Sequence, residues 1–297
     1  MLNTLFSKIL FLSLFVLLIF SCKEEQKNES PSMPLWELSK DGGKKSYILG
    51  TTEYLAKDSA KLLFNNLIID AFDSAEVYIT QIDIQNSDFM KTKQVLEIGS
   101  GLTIIESLSD SDFQLLKTMK SEWDASVKNS VPAPDSMRLK LLFYLQDVLY
   151  HNNQNSFYFD MFWSERAMPM GKTMGGLESY QAFYKGFENV SLEEQIDFMY
   201  HIQDFEKFTK SLRSDVQKLY LEGKYEELQI LYSERFPYVK SHYSELVADK
   251  HTKWTEKLSM VMDTASVFVT LDVVHFHGED NMMDKLLSKG YKAKRIN

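Results

Sequence analysis

Two predicted strand ends carry side chains that could bind a metal ion. Glu53 follows the strand predicted over residues 46–49, and His275 and His277 close the β-branched run 266–274. In open α/β sheets, ligands bind beyond the carboxyl ends of the strands. If the two strands are neighbours, a carboxylate and two imidazoles converge there, and such a set suits a divalent transition metal.

Each part of this pattern also has a structural interpretation. His275 and His277 would share a face on an ideal strand, but a lone His-x-His pair is more often structural or exposed than a metal site. A glutamate after a strand, such as Glu53, is usually solvated or caps a helix. The metal site is therefore a hypothesis that depends on the two strand ends meeting.

Glu178 is the third candidate. It follows two glycines, Gly175 and Gly176, at the end of a short predicted strand over residues 172–177. Glycines at a strand end allow close backbone approach. The carboxylate would either face the same cavity as His275 or lie at a helix start, where it complements the helix dipole. Both interpretations stay open at this point.

Hydrophobic periodicity indicates which elements position these side chains. Strands are predicted at the two ends of the chain and helices mostly between them, with no repeat of solenoid period. The pattern predicts an α/β domain with a large helical insertion. The predicted strands are 35–39, 46–49, 76–84, 172–177, 266–274 and 291–296; the predicted helices are 58–72, 110–128, 135–150, 157–168, 191–222 with a break near Asp204, 225–234, 241–262 and 281–288.

Composition excludes several classes of protein. The 297 residues include 33 Lys and Arg against 42 Asp and Glu, a net charge of −9. A nucleic-acid partner is not expected, because a phosphate footprint needs clustered basic residues. The single cysteine excludes an intramolecular disulfide and a multi-cysteine zinc site. The sequence has no G-x-S-x-G, P-loop, G-x-G-x-x-G or H-E-x-x-H motif.

The N-terminus has the features of a lipoprotein signal. The apolar run 9–20 is short for a transmembrane helix, which needs roughly 20 residues, but suits the h-region of a signal peptide. It ends at Cys22 in a sequence that resembles a bacterial lipobox. We therefore expect residues 1–21 to be a signal peptide, 22–34 to be an acylated cysteine with a flexible tether, and 35–297 to be the domain. The alternative is a membrane-anchor helix with an incidental cysteine.

Lipidation at Cys22 would place the protein in a bacterial cell envelope, held by membrane lipid. Lys23-Glu24-Glu25 after the cysteine resembles the surface-export signal of some Gram-negative lipoproteins. The expected location is the outer membrane, on its periplasmic or its surface face.

An ordered set of motifs from about Leu35 to Ile296 resembles the TraB/GumN family, which is similar to the Tiki metalloproteases. The set is Leu35-Trp36-Glu37-Leu38-Ser39, Tyr47-Ile48-Leu49-Gly50-Thr51, Ala71-Phe72-Asp73-Ser74-Ala75, a strand ending in Asp83, Gly175-Gly176-Leu177-Glu178-Ser179-Tyr180-Gln181, Ser191-Leu192-Glu193-Glu194-Gln195, Tyr220-Leu221-Glu222-Gly223-Lys224, Lys253-Trp254-Thr255-Glu256-Lys257-Leu258, the His275 strand and Gly290-Tyr291. The resemblance implies a central mixed sheet built from N- and C-terminal strands.

The resemblance also implies metal ligands from two G-x-x-H motifs, one after the early strand and one after the late strand. Here Glu53 stands at the first histidine position, and His275 is retained at the second, although Asp272 replaces its glycine. Glutamate can bind Mn, Co or Zn, so a divalent metal stays possible. Glu178 of the G-L-E segment is retained as a further ligand or as the residue that activates water.

Other positions depart from the family pattern. The E-x-D strand reads Gln81-Ile82-Asp83, and the Arg-Asn pair before the late tryptophan reads Lys250-His251. An amide at Gln81 cannot act as a general base. Two hypotheses follow: a membrane-anchored, metal-dependent peptide hydrolase with an altered site, or a non-catalytic lipoprotein that binds a peptide or protein ligand. The second predicts that the polar residues of the cleft pair with one another.

Overall fold

A computed structural model describes residues 33–53, 55–83, 108–126, 141–142, 145 and 157–296. The signal peptide, Cys22 and most of the tether lie outside these residues, as does most of the helix predicted over 135–150. In the described part of the chain, no helix is long and apolar enough to cross a membrane.

Six strands form one mixed sheet in the order β4-β3-β5-β2-β1-β6. Strands β2, β5, β3 and β4 are parallel to one another, whereas β1 is antiparallel to both β2 and β6. The carboxyl ends of four strands therefore meet at one edge of the sheet. The strands are β1 (Leu35–Ser39), β2 (Ser46–Thr51), β3 (Val77–Ile82), β4 (Thr173–Glu178), β5 (Val267–Asp272) and β6 (Lys292–Arg295).

Helices fill the connections between the parallel strands. They lie between β2 and β3, between β3 and β4, between β4 and β5, where most of the described helices are, and between β5 and β6. They are α1 (Lys57–Leu63), α2 (Asn66–Ser74), α3 (Asp110–Ser126), α4 (Phe159–Ala167), α5 (Tyr180–Lys185), α6 (Leu192–His201), α7 (Phe205–Leu221), α8 (Tyr225–Arg235), α9 (Pro237–Ser241), α10 (Asp249–Met262), which continues a π-helical turn at Ser244–Ala248, and α11 (Met282–Ser288).

The sheet is buried on both faces because apolar side chains alternate along its central strand. Phe268 of β5 packs against Phe72 of α2 and Trp163 of α4 on one face. Val267 and Val269 belong to the core on the other face, which includes Leu258 of α10. This two-sided burial is typical of parallel sheets.

Two glycines bring backbone close to the carboxyl edge. A Cβ atom at Gly50, in β2, would lie 2.8 Å from the Pro34 ring, and the Gly50 carbonyl accepts a 2.6 Å hydrogen bond from the buried Tyr220 hydroxyl. A Cβ atom at Gly176, in β4, would overlap the backbone of Ile82 and Asp83. The Asp83 amide donates instead to the Glu178 carbonyl over 2.7 Å, which ties the ends of β3 and β4 together.

The predicted α/β class and the mixed sheet are confirmed. The single helix predicted over 58–72 is wrong: Asn65 accepts a hydrogen bond from the Ile68 amide and starts a second helix there. The break near Asp204 is confirmed, because Asp204 caps α7. The helix predicted from residue 241 begins instead with the π-helical turn at Ser244–Ala248, which leads into α10.

Candidate functional site

The three predicted site residues all lie at the carboxyl edge of the sheet. Thr51 at the end of β2 is in register with Asp272 at the end of β5, and Glu53 follows two residues later. Glu178 ends β4, next to β3, and His275 lies in the 3-10 turn Val273–Phe276 directly after β5. Because neighbouring strands lie about 4.8 Å apart, residues from these strand ends line one cleft.

At this edge the side chains divide into two sets. The first, here called the acidic group, consists of Glu53, Asp160 and Asp272. The second, here called the Lys250 group, consists of Glu178, Lys250, His251 and His275. The sequence predicted one metal site from Glu53, His275 and Glu178. In the structure these three side chains have different partners.

Asp160 is held in the acidic group by a chain of hydroxyl groups. The Thr270 hydroxyl, on β5, donates a 2.6 Å hydrogen bond to Asp160 Oδ1, and the Tyr78 hydroxyl of β3 lies 2.9 Å from Thr270 Oγ1. Asp160 stands in the first turn of α4, where a carboxylate complements the helix dipole. The first turn of α4 packs against the sheet, which places the Asp160 carboxylate in the site. The local sequence around Asp160 gave no indication of this.

Burial raises the pKa of all three acids, and repulsion from a neighbouring carboxylate adds to the shift for Glu53 and Asp272. Loss of hydration raises the pKa of Asp160 to about 6, and the same loss with the Asp160 charge raises the pKa of Glu53 to about 7. Desolvation, with a contribution from Glu53, raises the pKa of Asp272 to about 8. The Glu53 residue as a whole is exposed to solvent, although burial of its carboxyl is the main cause of its raised pKa.

Glu178 and Lys250 form a buried ion pair. Lys250 Nζ lies 3.3 Å from Glu178 Oε1 and 3.3 Å from the Phe183 carbonyl, and each of the two charged residues is 8% exposed. The ammonium also lies 4.4 Å from the centre of the Phe183 ring. Burial raises the pKa of Glu178 and lowers that of Lys250, while the attraction between them opposes both shifts. The Glu178 carboxylate is therefore already paired with a cation of the protein itself, the Lys250 ammonium.

His275 is bonded to a second histidine. Its Nδ1 lies 2.8 Å from Nε2 of His251, and Nδ1 of His251 lies 2.8 Å from the Asp280 carbonyl oxygen. Burial lowers the pKa of both rings, and the nearby His251 and Lys250 lower that of His275 further. His251 is completely buried, whereas His275 is partly exposed.

His277 takes no part in this contact. Its ring lies 5.2 Å from Tyr225 and 6.3 Å from Trp36, measured between ring centres. β5 ends at Asp272, and the chain then makes a 3-10 turn, so the alternation that would put His275 and His277 on one face does not continue. The two histidines of the His-x-His sequence serve different parts of the structure.

Four residues of the site were missed as contributors: Asp160, Asp272, Lys250 and His251. Asp272 ends β5, whereas Asp160 lies on α4 and Lys250 and His251 lie on α10, far from the strand ends in sequence. Only the departure of Lys250-His251 from the family's Arg-Asn pair drew attention to these two positions. Both are buried where α10 passes over the ends of β4 and β5.

The arrangement does not suit a metal ion shared by Glu178 and His275. A dication there would lie beside the buried ammonium of Lys250, and two cations repel strongly at short range in a poorly hydrated site. Within the described ranges, no three His, Cys, Asp or Glu residues come close enough to hold a metal. Glu53, His275 and Glu178 as one ligand set stay a prediction.

The model of the TraB/PrgY/gumN family matches residues 34–295. The chain belongs to this family. The match extends over all six strands and over both groups of the cleft, and it confirms the family that the ordered motifs indicated. No curated protein and no solved structure is significantly similar to this TraB/PrgY/gumN chain.

Proposed function

We propose that this TraB/PrgY/gumN protein is a lipid-anchored envelope protein whose cleft binds a peptide or protein ligand without metal-dependent hydrolysis. The observation that carries the proposal is the buried pair of Glu178 and Lys250. A carboxylate that binds a metal or activates a water molecule must offer its oxygens to that partner. In this chain a lysine ammonium engages the Glu178 carboxylate.

Two further features support the binding hypothesis. His275 Nδ1 is bonded to His251, so the polar residues of the Lys250 group pair with one another. Gln81, at the end of β3, has an amide where the family pattern has an acid, and an amide does not take up a proton near neutral pH. The acidic group brings three carboxyl groups together at the carboxyl edge of the sheet, which favours a ligand with amine or guanidinium groups.

Metal loading is the direct test of this proposal. We expect that residues 23–297, loaded in turn with Mn, Co and Zn and then desalted, retain no stoichiometric metal by mass spectrometry. The reason is the Lys250 ammonium beside Glu178. Glu53→Ala and His275→Ala are the matched variants. About one metal ion per chain, lost in both variants, would overturn the proposal and favour the peptide-hydrolase hypothesis.

Lipid anchoring has a test of its own. We expect the wild-type protein, expressed in a bacterial host, to be recovered from the membrane without residues 1–21 and with acyl mass on Cys22, which the Cys22→Ser variant lacks because no acyl chain can then be attached. Ser30→Ala, a change in the tether, serves as the control and keeps the acyl mass. A wild-type chain in the membrane at its full uncleaved mass, without acyl mass, would instead favour a membrane-anchor helix.

A further inference from the structure

His275 has a nitrogen whose protonation is set by its neighbours. We infer that His251 is a positioning residue that holds His275 in the Nδ1–H tautomer, so that His275 presents Nε2 as a hydrogen-bond acceptor to the ligand of the cleft. The statement about the ligand rests on the proposed function. The tautomer follows from the contacts of the two rings alone.

The backbone carbonyl of Asp280 determines which nitrogen of His251 carries the hydrogen. A carbonyl oxygen can only accept, so His251 Nδ1, 2.8 Å away, must carry the hydrogen of that bond. Asp280 has φ of 51°, and among the described residues it is the one residue other than glycine with a positive φ. A residue other than glycine in this less common conformation is held there by its surroundings, and its carbonyl lies against His251.

The proton on His251 then determines the proton on His275. In a neutral imidazole with hydrogen on Nδ1, Nε2 is an acceptor. The 2.8 Å contact between His251 Nε2 and His275 Nδ1 therefore requires the hydrogen to be on His275 Nδ1. In a neutral His275 this leaves Nε2 with a free lone pair.

The surroundings favour neutral rings. His251 is completely buried, and Lys250 is a cation next to it in sequence that also acts on His275. A second positive charge on either ring would be placed in a poorly hydrated site beside this ammonium. Burial accordingly lowers the pKa of both histidines.

His275 is partly exposed at the edge of the sheet where the proposed ligand would bind. Within the described part of the chain, the hydrogen bond of His275 is the one from Nδ1, and the residue is partly exposed at the edge that also carries Glu178. An acceptor fixed in this way selects an N–H or O–H group, such as a peptide amide, an ammonium or a hydroxyl group.

Nitrogen NMR of the six histidines tests the tautomer without any ligand. The full chain, labelled with ¹⁵N on histidine and purified in detergent, is measured at pH 8, with the His275 signals assigned by their loss in His275→Gln. We expect a pyrrole-type shift for His275 Nδ1 and a pyridine-type shift for Nε2. This is the reverse of the tautomer that neutral histidine favours in water. A pyridine-type Nδ1 in the wild-type protein would overturn the inference.

Two variants separate positioning from general structural support. His251→Phe removes the acceptor, and we expect His275 to lose the Nδ1–H pattern, whereas His251→Gln keeps an acceptor oxygen and restores it. His277→Gln is the matched control, since His277 lies apart from this contact, and its His275 shifts should equal the wild-type values. An unchanged pattern in a folded His251→Phe variant would also overturn the inference. If that variant does not fold, the wild-type spectrum decides.

Because these shifts are read in the absence of ligand, the tautomer can fail while the proposed function stands. Conversely, if the wild-type protein shows the expected shifts but retains one metal ion per chain, the tautomer is correct and the binding proposal is wrong.

Discussion

Replacing Gly176 by alanine is expected to destabilise the fold by about 3 kcal/mol or more, or to prevent folding. A Cβ atom there would lie closer than 3.0 Å to backbone atoms of Ile82 and Asp83, an approach that real Cβ atoms essentially never show. Backbone atoms cannot rotate away as a flexible side chain can, so β3 and β4 would have to separate. The 2.7 Å bond from the Asp83 amide to the Glu178 carbonyl would then be lost. The free energy of unfolding in urea measures the effect.

Gly175→Ala is the matched control for this prediction. It makes the same chemical change one residue earlier in β4, where a Cβ atom would meet no atom within 4 Å. We expect its free energy of unfolding to lie within about 1 kcal/mol of the wild-type value. Equal stability of the two variants would show that the close approach of β3 to β4 does not constrain residue 176.

Local patterns predicted most of the elements but not all of their ends. Five of the nine residues in the run 266–274 are β-branched, yet β5 stops at Asp272. The reason is that the Asp272 carboxyl accepts a 3.2 Å hydrogen bond from the Val274 amide and caps a 3-10 turn. Similarly, the helical spacing over 58–72 predicted one continuous helix, whereas a second helix starts at Asn65. In both places a polar side chain bonded to the backbone prevails over hydrophobic periodicity.

The location of the site was predictable, whereas its chemistry was not. Glu53, His275 and Glu178 follow strand ends, and parallel strands bring such ends to one edge. Their partners come from helices that are distant in sequence: Asp160 lies 107 residues after Glu53, and Lys250 lies 72 residues after Glu178. No periodicity within a helix shows which strand end its polar residues will meet. Whether Glu178 is free or paired therefore depends on tertiary packing.

Stability of the native state is expected to fall as the pH rises from about 7 to about 8, which is above the range where the lowered pKa values of the buried His251 and His275 act in the opposite sense. The pKa values of Asp160, Glu53 and Asp272 are raised to about 6, about 7 and about 8, whereas unfolded carboxyls titrate near pH 4. The native state therefore binds more protons than the unfolded chain in this range, so raising the pH favours unfolding. Each titrating group can contribute up to about 1.4 kcal/mol per pH unit. Urea unfolding at a series of pH values measures the slope.

Asp272→Asn should make this slope shallower. The amide oxygen of asparagine can still accept the hydrogen bond from the Val274 amide. The side chain, however, no longer takes on a negative charge that burial disfavours. We expect the variant to exceed the wild-type protein in stability by about 2 kcal/mol or more at pH 8, with a smaller difference at pH 5. Asp70→Asn, on the exposed side of α2, is the control and should keep the wild-type slope. If Asp272→Asn also kept that slope, the Asp272 carboxyl would have to ionise as readily in the cleft as in water. The acidic group would then be a hydrated surface rather than a cluster of carboxyl groups whose charge is disfavoured by burial.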